Sequence, residues 1–173
     1  MSDPCIAALK YVSGQSTKDV LKRFADTLLK QGVNVHGLRQ ENVQGPDGQR
    51  LGVDAIDIHT GDRIPLLRPT PYEMNNKQCS LNLAQLSEAT GILRRAVQAN
   101  PDIVLVERFS KAESDGGGLA DDLMNLMASG IPTIVSVHVD EYEAWLSYSG
   151  GLADDVDSTV EALNQWWTAA HAR

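Results

Sequence analysis

Between Pro101 and Leu126 the chain gathers residue types that bind and transform charged ligands. Asp102-Ile103-Val104-Leu105-Val106 runs into Glu107-Arg108-Phe109-Ser110-Lys111-Ala112-Glu113, then Asp115-Gly116-Gly117-Gly118 and an apolar-periodic run from Leu119. Glu107, closing an apolar stretch, has the chemistry to hold Mg²⁺ or orient a water beside a phosphate, which makes it the catalytic candidate. Arg108 through its planar fork and Lys111 as a point charge are candidate anion ligands. Glu113 is a further candidate, and Gly117 and Gly118 permit close backbone approach to a ligand. The plainer alternative is that Glu107, Arg108, Lys111 and Glu113 form a solvated ion network on a loop. Their clustering at the carboxyl end of an apolar strand favours a site, because ligands of open α/β sheets bind there.

A second candidate is the turn Ser13-Gly14-Gln15-Ser16-Thr17. It joins a first strand to a helix, so backbone N–H groups at Ser13, Gly14, Ser16 and Thr17, with three hydroxyls, suit an anion. A full phosphate-binding loop needs Gly, four residues, then Gly-Lys-Ser/Thr. Here the spacing is too short, the second glycine is missing and Lys18 follows the hydroxyls. An ordinary capped helix, Ser16 with Asp19, explains the same residues.

Asp57, with Asp54, His59 and Thr60 nearby, has metal-ligand chemistry, although solvent-facing acids on an edge hairpin are the commoner case. Cys79 precedes a helix start, where thiol reactivity rises, but no base lies near it in sequence. Cys5 reads as core, and His36 and His138 as hydrogen-bonded strand histidines. No metal site is assigned.

The elements that must carry these groups follow an α/β rhythm. Ile6–Val12 reads as a strand, and Val20, Leu21, Phe24, Ala25, Leu28 and Leu29 line one helix face up to Gly32. Val33–Leu38 is the next strand. The section from about 42 to 80 reads as an inserted hairpin (Val53–Ile58 and Arg63–Leu67, with Pro65 at an edge) and a long loop from 68 to 80. A helix carrying Leu83, Leu86, Thr90, Leu93 and Val97, the central strand, a helix over about 119–129, a strand over 131–137, a short helix over 142–148 and a final helix from about Ser158 complete one α/β domain spanning 1–173. The expected architecture is three-layered, with a mostly parallel sheet.

A net charge of -8 argues against nucleic-acid binding. The two cysteines, Cys5 and Cys79, fit neither a disulfide framework nor metal spacing. No basic-then-apolar leader and no apolar run of about 18 residues is seen, so no membrane span is expected and the cytoplasm is the expected location.

At Arg108-Phe109-Ser110-Lys111-Ala112-Glu113 the chain resembles a bacterial family of unknown function, described as nucleoside-triphosphatase-like and often encoded beside molybdenum-transport genes. The family pattern is a strand ending Asn-Arg-Phe-Gly-Lys-x-Glu, a Gly-rich helix start, then Gly-Ile-Pro before a strand, here Gly130-Ile131-Pro132. Asp57, Thr60-Gly61 and Gln78-Cys79-Ser80-Leu81-Asn82 match its upstream positions. The chain departs from it at Glu107, Ser110, Ser80 and Asn82, which stand for Asn, Gly, Arg and Asp. The resemblance implies a fold like that of P-loop NTPases with a degenerate phosphate site. The expected function is nucleotide or oxyanion binding with weak or no hydrolysis, with Mg²⁺ as the cofactor that phosphate chemistry would use. The alternatives are a non-enzymatic molybdate-binding or molybdenum-uptake accessory protein, partnered with a transporter component, and a pure interaction module. Assembly into a homo-oligomer is left open.

Overall fold

The apolar run before Glu107 becomes the centre of the molecule. A computed structural model describes residues 5–12, 17–76 and 83–173. In chain order the elements are β1 (Ile6–Tyr11), α1 (Thr17–Lys30), β2 (Val35–Gln44), β3 (Arg50–Asp57), β4 (Arg63–Leu67), α2 (Pro71–Asn75), α3 (Leu83–Ala99), β5 (Ile103–Phe109), α4 (Lys111–Ser114), α5 (Ala120–Ala128), β6 (Thr133–His138), α6 (Tyr142–Ser149), β7 (Asp154–Val156) and α7 (Val160–His171). The strands form a seven-stranded sheet in the order β4-β3-β2-β5-β6-β1-β7. From β2 to β7 neighbouring strands are parallel, while β2, β3 and β4 pair antiparallel.

Three layers result. Alternate residues of the parallel strands face opposite ways. Leu9, Leu105 and Ile134 pack with Leu21, Phe24 and Leu28 of α1 and Leu163 and Trp167 of α7. Val104, Val106 and Val135 pack on the other face with Leu93 of α3 and Leu123 and Leu126 of α5. A strand covered on both faces has no polar side to show, hence the unbroken apolar run. Each fully buried leucine in these layers contributes about 2 kcal/mol.

Several expectations are corrected. β5 does not end at Val106 but continues through Glu107 and Arg108 to Phe109, whose fully buried ring meets Trp145 edge-on at 5.2 Å. The Glu107–Arg108 peptide bond is cis. β2 runs to Gln44, beyond the expected Leu38, so the expected hairpin, formed by β3 and β4, continues the main sheet as an antiparallel extension. Within the stretch read as a loop, α2 forms because Thr70 and Glu73 cap each other: Thr70 N–H donates to Glu73 Oε2 at 2.7 Å and Glu73 N–H to Thr70 Oγ1 at 3.3 Å. Leu29, placed on the buried face of α1, is 39% exposed, and Cys5 is half-buried instead of core. The short β7 is acidic and largely exposed, so nothing in its pattern marked it as a strand.

One glycine lets β2 lie against β5. Gly37 has φ +130, and a Cβ there would sit 1.9 Å from the Leu105 carbonyl oxygen. Gly37→Ala should therefore cost about 3 kcal/mol or more by urea denaturation. Gly48→Ala, at φ +73 with open space around it, should cost only about 1–2 kcal/mol. Equal losses at the two positions would show that backbone conformation, not overlap with Leu105, sets the constraint.

Candidate functional site

The carboxyl ends of β5, β6 and β1 lie side by side, and Arg108, Tyr11 and His138 meet there, while Glu107 turns toward β2. Glu107 is buried at 3% exposure, and its Oε2 accepts from the Gln40 N–H of β2 at 2.7 Å. Pairing of β2 with β5 by backbone register runs only to Leu38 and Val106, so beyond it the Glu107 carboxyl group serves where a strand carbonyl would. Arg108, half-buried, reaches across β6 and donates from Nη1 to the Tyr11 hydroxyl at 3.2 Å. Among the described residues no carboxylate pairs with Arg108. Tyr11 in turn meets the His138 ring edge-on, centroids 5.2 Å apart at 88°. His138 Nδ1 accepts from the Asp140 N–H at 3.1 Å, as a structural histidine does. Beneath that pair lies Ser136, 2% exposed, whose hydroxyl has no hydrogen-bond partner among the described residues.

Glu113 organises the loop that leaves β5. Its Oε2 accepts from the Ser110 N–H at 3.0 Å and the Ser110 hydroxyl at 2.7 Å, and its Oε1 accepts from the Leu119 N–H at 3.1 Å. The close approach at Gly118 is made to this carboxylate, since a Cβ there would lie 2.3 Å from Glu113 Oε1. Gly117 donates its N–H to the Ala112 carbonyl at 2.9 Å within the same loop. A cleft of about 140 Å³ opens beside it, with Leu38, Gln40, Leu66, Ala89, Arg108 and Ser110 in its wall.

The other sequence candidates lie elsewhere. Lys111 is exposed and paired with Asp115 at 2.7 Å, a bond that raises its pKa, and it is not among the described residues lining the cleft. Asp57 stands on β3, two strands from β5 and level with Val106. Its Oδ1 accepts from the His59 and Thr60 N–H groups at 2.9 and 3.2 Å, and Arg95 lies 3.8 Å from Oδ2, so it builds the turn after β3. Asp54 is held by Arg63 and Arg68. Ser13, Gly14, Ser16 and Cys79 lie outside the described residues, and Thr17 opens α1. Among the described residues no group of three or more His, Cys, Asp or Glu could hold a metal ion. A wider depression of about 480 Å³ runs along Asp19, Lys22, Arg23 and Asp26 of α1, where two cations and two acids balance. Sequence reasoning passed over Tyr11. The available signal was a polar aromatic ending the strand that leads into the first turn.

His36 and His59 stack at 3.9 Å, 14° from parallel. Burial first, then the neighbouring His59, push the His36 pKa below 6.5, against the pull of Asp57. The folded state therefore favours neutral His36. Its contribution to stability is complete above the ordinary value of 6.5 and is lost as pH falls through the folded value. An NMR titration should place the His36 midpoint below that of an unfolded-chain histidine, and a midpoint above it would remove this contribution. Glu113→Ala should cost about 3 kcal/mol in urea denaturation, because the Ser110 and Leu119 amides lose their acceptor, and the Leu119 amide should exchange faster. A loss below about 1 kcal/mol would mean that the loop is held by other contacts.

Known proteins share this fold. A solution structure of a human cancer-related nucleoside triphosphatase superposes with a TM-score of 0.67, covering 94% of this chain and 93% of that one at 19% identity. The likeness is one of fold: a three-layer α/β arrangement around a mostly parallel sheet. The molybdenum import ATP-binding protein ModC 2 of Bradyrhizobium diazoefficiens is 30% identical over 168 residues, which is 97% of this chain but 18% of that protein's length. Residues 6–166 match the family described as "Protein of unknown function (DUF2478)", and the chain belongs to that family.

Proposed function

We propose that the chain binds a nucleotide, or another oxyanion, at the carboxyl edge of its sheet, and hydrolyses it slowly or not at all. The observation that carries this reading is Arg108, a half-buried guanidinium hydrogen-bonded to a neutral hydroxyl and, among the described residues, to no carboxylate. Most arginines of the β2–β4 and α3 surfaces are neutralised: Arg39, Arg63, Arg68, Arg94 and Arg95 each face an acid. Arg108 instead keeps donors for a ligand, at the strand ends where ligands of such sheets bind. The fold shared with a nucleoside triphosphatase supports a nucleotide as that ligand.

In this reading Ser13, Gly14, Ser16 and Thr17 offer amides and hydroxyls, and Arg108 meets the outer phosphate oxygens. Lys111 acts only in attracting an anion to this edge. Glu107 suits Mg²⁺ to a limited extent. It is one carboxyl group already bonded to Gln40, so the ion would be shared with the phosphates, the usual way Mg²⁺ is bound at such sites. When bound, Mg²⁺ would neutralise phosphate charge. The incomplete loop, with Lys18 after the hydroxyls, is the reason for expecting slow turnover. A nucleotide as ligand supports the cytoplasm as the proposed location.

A second reading, molybdate binding or a role beside a molybdenum transporter, is supported by the name of the Bradyrhizobium relative, of which the chain spans 18%. Thermal shift separates the two. At ten times its Kd, MgATP should stabilise the protein by about 1.4 kcal/mol and raise Tm by roughly 3–6 °C. Arg108→Ala should remove most of that rise, and phosphate release should stay below about 0.01 s⁻¹. A shift with molybdate or tungstate but not with MgATP or MgGTP would transfer the assignment to the second reading. No shift with any of them would leave an interaction module.

A further inference from the structure

We infer that Tyr11 is the positioning residue of this oxyanion site: its hydroxyl holds the Arg108 guanidinium over the end of β6. The inference rests on the oxyanion reading above and adds a residue to it. Arg108 belongs to β5 and Tyr11 to β1, with β6 between them. At about 4.8 Å per strand, their backbones are roughly 10 Å apart, so each side chain must lean over β6 to meet the other. The meeting is made at 3.2 Å.

Tyr11 is suited to the task because it is itself fixed. Its residue is 8% exposed, its ring lies edge-on to His138 at 5.2 Å, and His138 is held by the Asp140 N–H at 3.1 Å. Arginine carries five N–H donors in one plane, and a single bond to a hydroxyl leaves the rest of the fork for a ligand. A carboxylate in the place of Tyr11 would fix the arginine equally well but neutralise it. A phenol fixes it and leaves its charge for the guest.

The test is Tyr11→Phe, which keeps the ring against His138 and removes only the hydroxyl. MgATP binding should weaken by about threefold to tenfold by calorimetry, while the melting temperature of the ligand-free protein falls by only about 2–4 °C, the loss of one hydrogen bond. Because Tyr11 acts through Arg108, the Tyr11→Phe/Arg108→Ala double variant should bind no more weakly than Arg108→Ala alone. Wild-type affinity in Tyr11→Phe, or additive losses in the double variant, would overturn the inference while leaving the oxyanion reading in place. Should wild type bind neither MgATP nor molybdate, the oxyanion reading fails first. The positioning is then judged without ligand, from the Arg108 guanidinium resonances: loss of their dispersion in Tyr11→Phe supports the anchor, and an unchanged spectrum refutes it.

Discussion

A single buried carboxylate, that of Glu113, holds together the part of the molecule on which the site depends. It accepts from Ser110 twice and from Leu119 once. These bonds close the loop between the end of β5 and the start of α5. The loop contains only the four-residue α4 and has little packing of its own. Ordering each of its residues costs about 1–2 kcal/mol in backbone entropy, while hydrogen bonds to a charged acceptor contribute about 1.5–3 kcal/mol each. Gly118 is the steric condition for this, since any side chain there would meet the carboxylate. Once α5 is pinned, other contacts brace it: Arg94 of α3 holds Asp122 at 2.8 Å, and the Tyr148 hydroxyl donates to the Ala120 carbonyl. Phe109, packed against Trp145 and Tyr148, anchors the strand end from below. Arg108 therefore projects from a backbone fixed on both sides.

The parts of this arrangement that depend on local pattern were legible in the sequence. An unbroken run such as Ile103–Val106, bounded by Pro101 and by charges, suits a strand covered twice, and the spacing of Val20, Leu21, Phe24, Ala25 and Leu28 suits a helix with one buried face. Other local signals were present and misread. Thr70-Pro71-Tyr72-Glu73 carries a helix-start signature, yet the prolines and asparagines around it suggested a loop. The end of β2, Gln40 to Gln44, is polar on most positions because it lies in the antiparallel extension, where it is only partly covered. Leu29 fitted the apolar stripe of α1 but falls at its margin, 39% exposed beside the buried Leu28.

What sequence could not supply was strand order. The Tyr11–Arg108 contact joins residues 97 positions apart and exists only because β6 lies between β5 and β1. No spacing rule connects a tyrosine at the end of one strand with an arginine near the end of another. The same limit explains why Lys111 and Arg108 looked equivalent. They are three residues apart, but Arg108 is still in the strand and leans inward, while Lys111 begins a helical turn and finds Asp115 one turn on.

The charges around Arg108 also bear on which ligand the site suits. The chain carries a net charge of -8, and the acidic groups Glu107 and Glu113 stand close to Arg108 in sequence, both buried at the same edge. A bare oxyanion such as molybdate brings two negative charges to a place where one guanidinium must offset them among buried acids. Such burial is unfavourable unless nearly every charge is matched. A nucleotide arriving with Mg²⁺ brings its own counter-charge, and the ion gives Glu107 an opposite charge to meet instead of a like one. The presence of Glu107 where the resembled family has asparagine strengthens the same preference: an added acid makes the edge worse for an unaccompanied anion and better for one that travels with a cation. On the proposed reading, electrostatics therefore favour a metal-bound phosphate over a bare oxyanion as the guest of this edge.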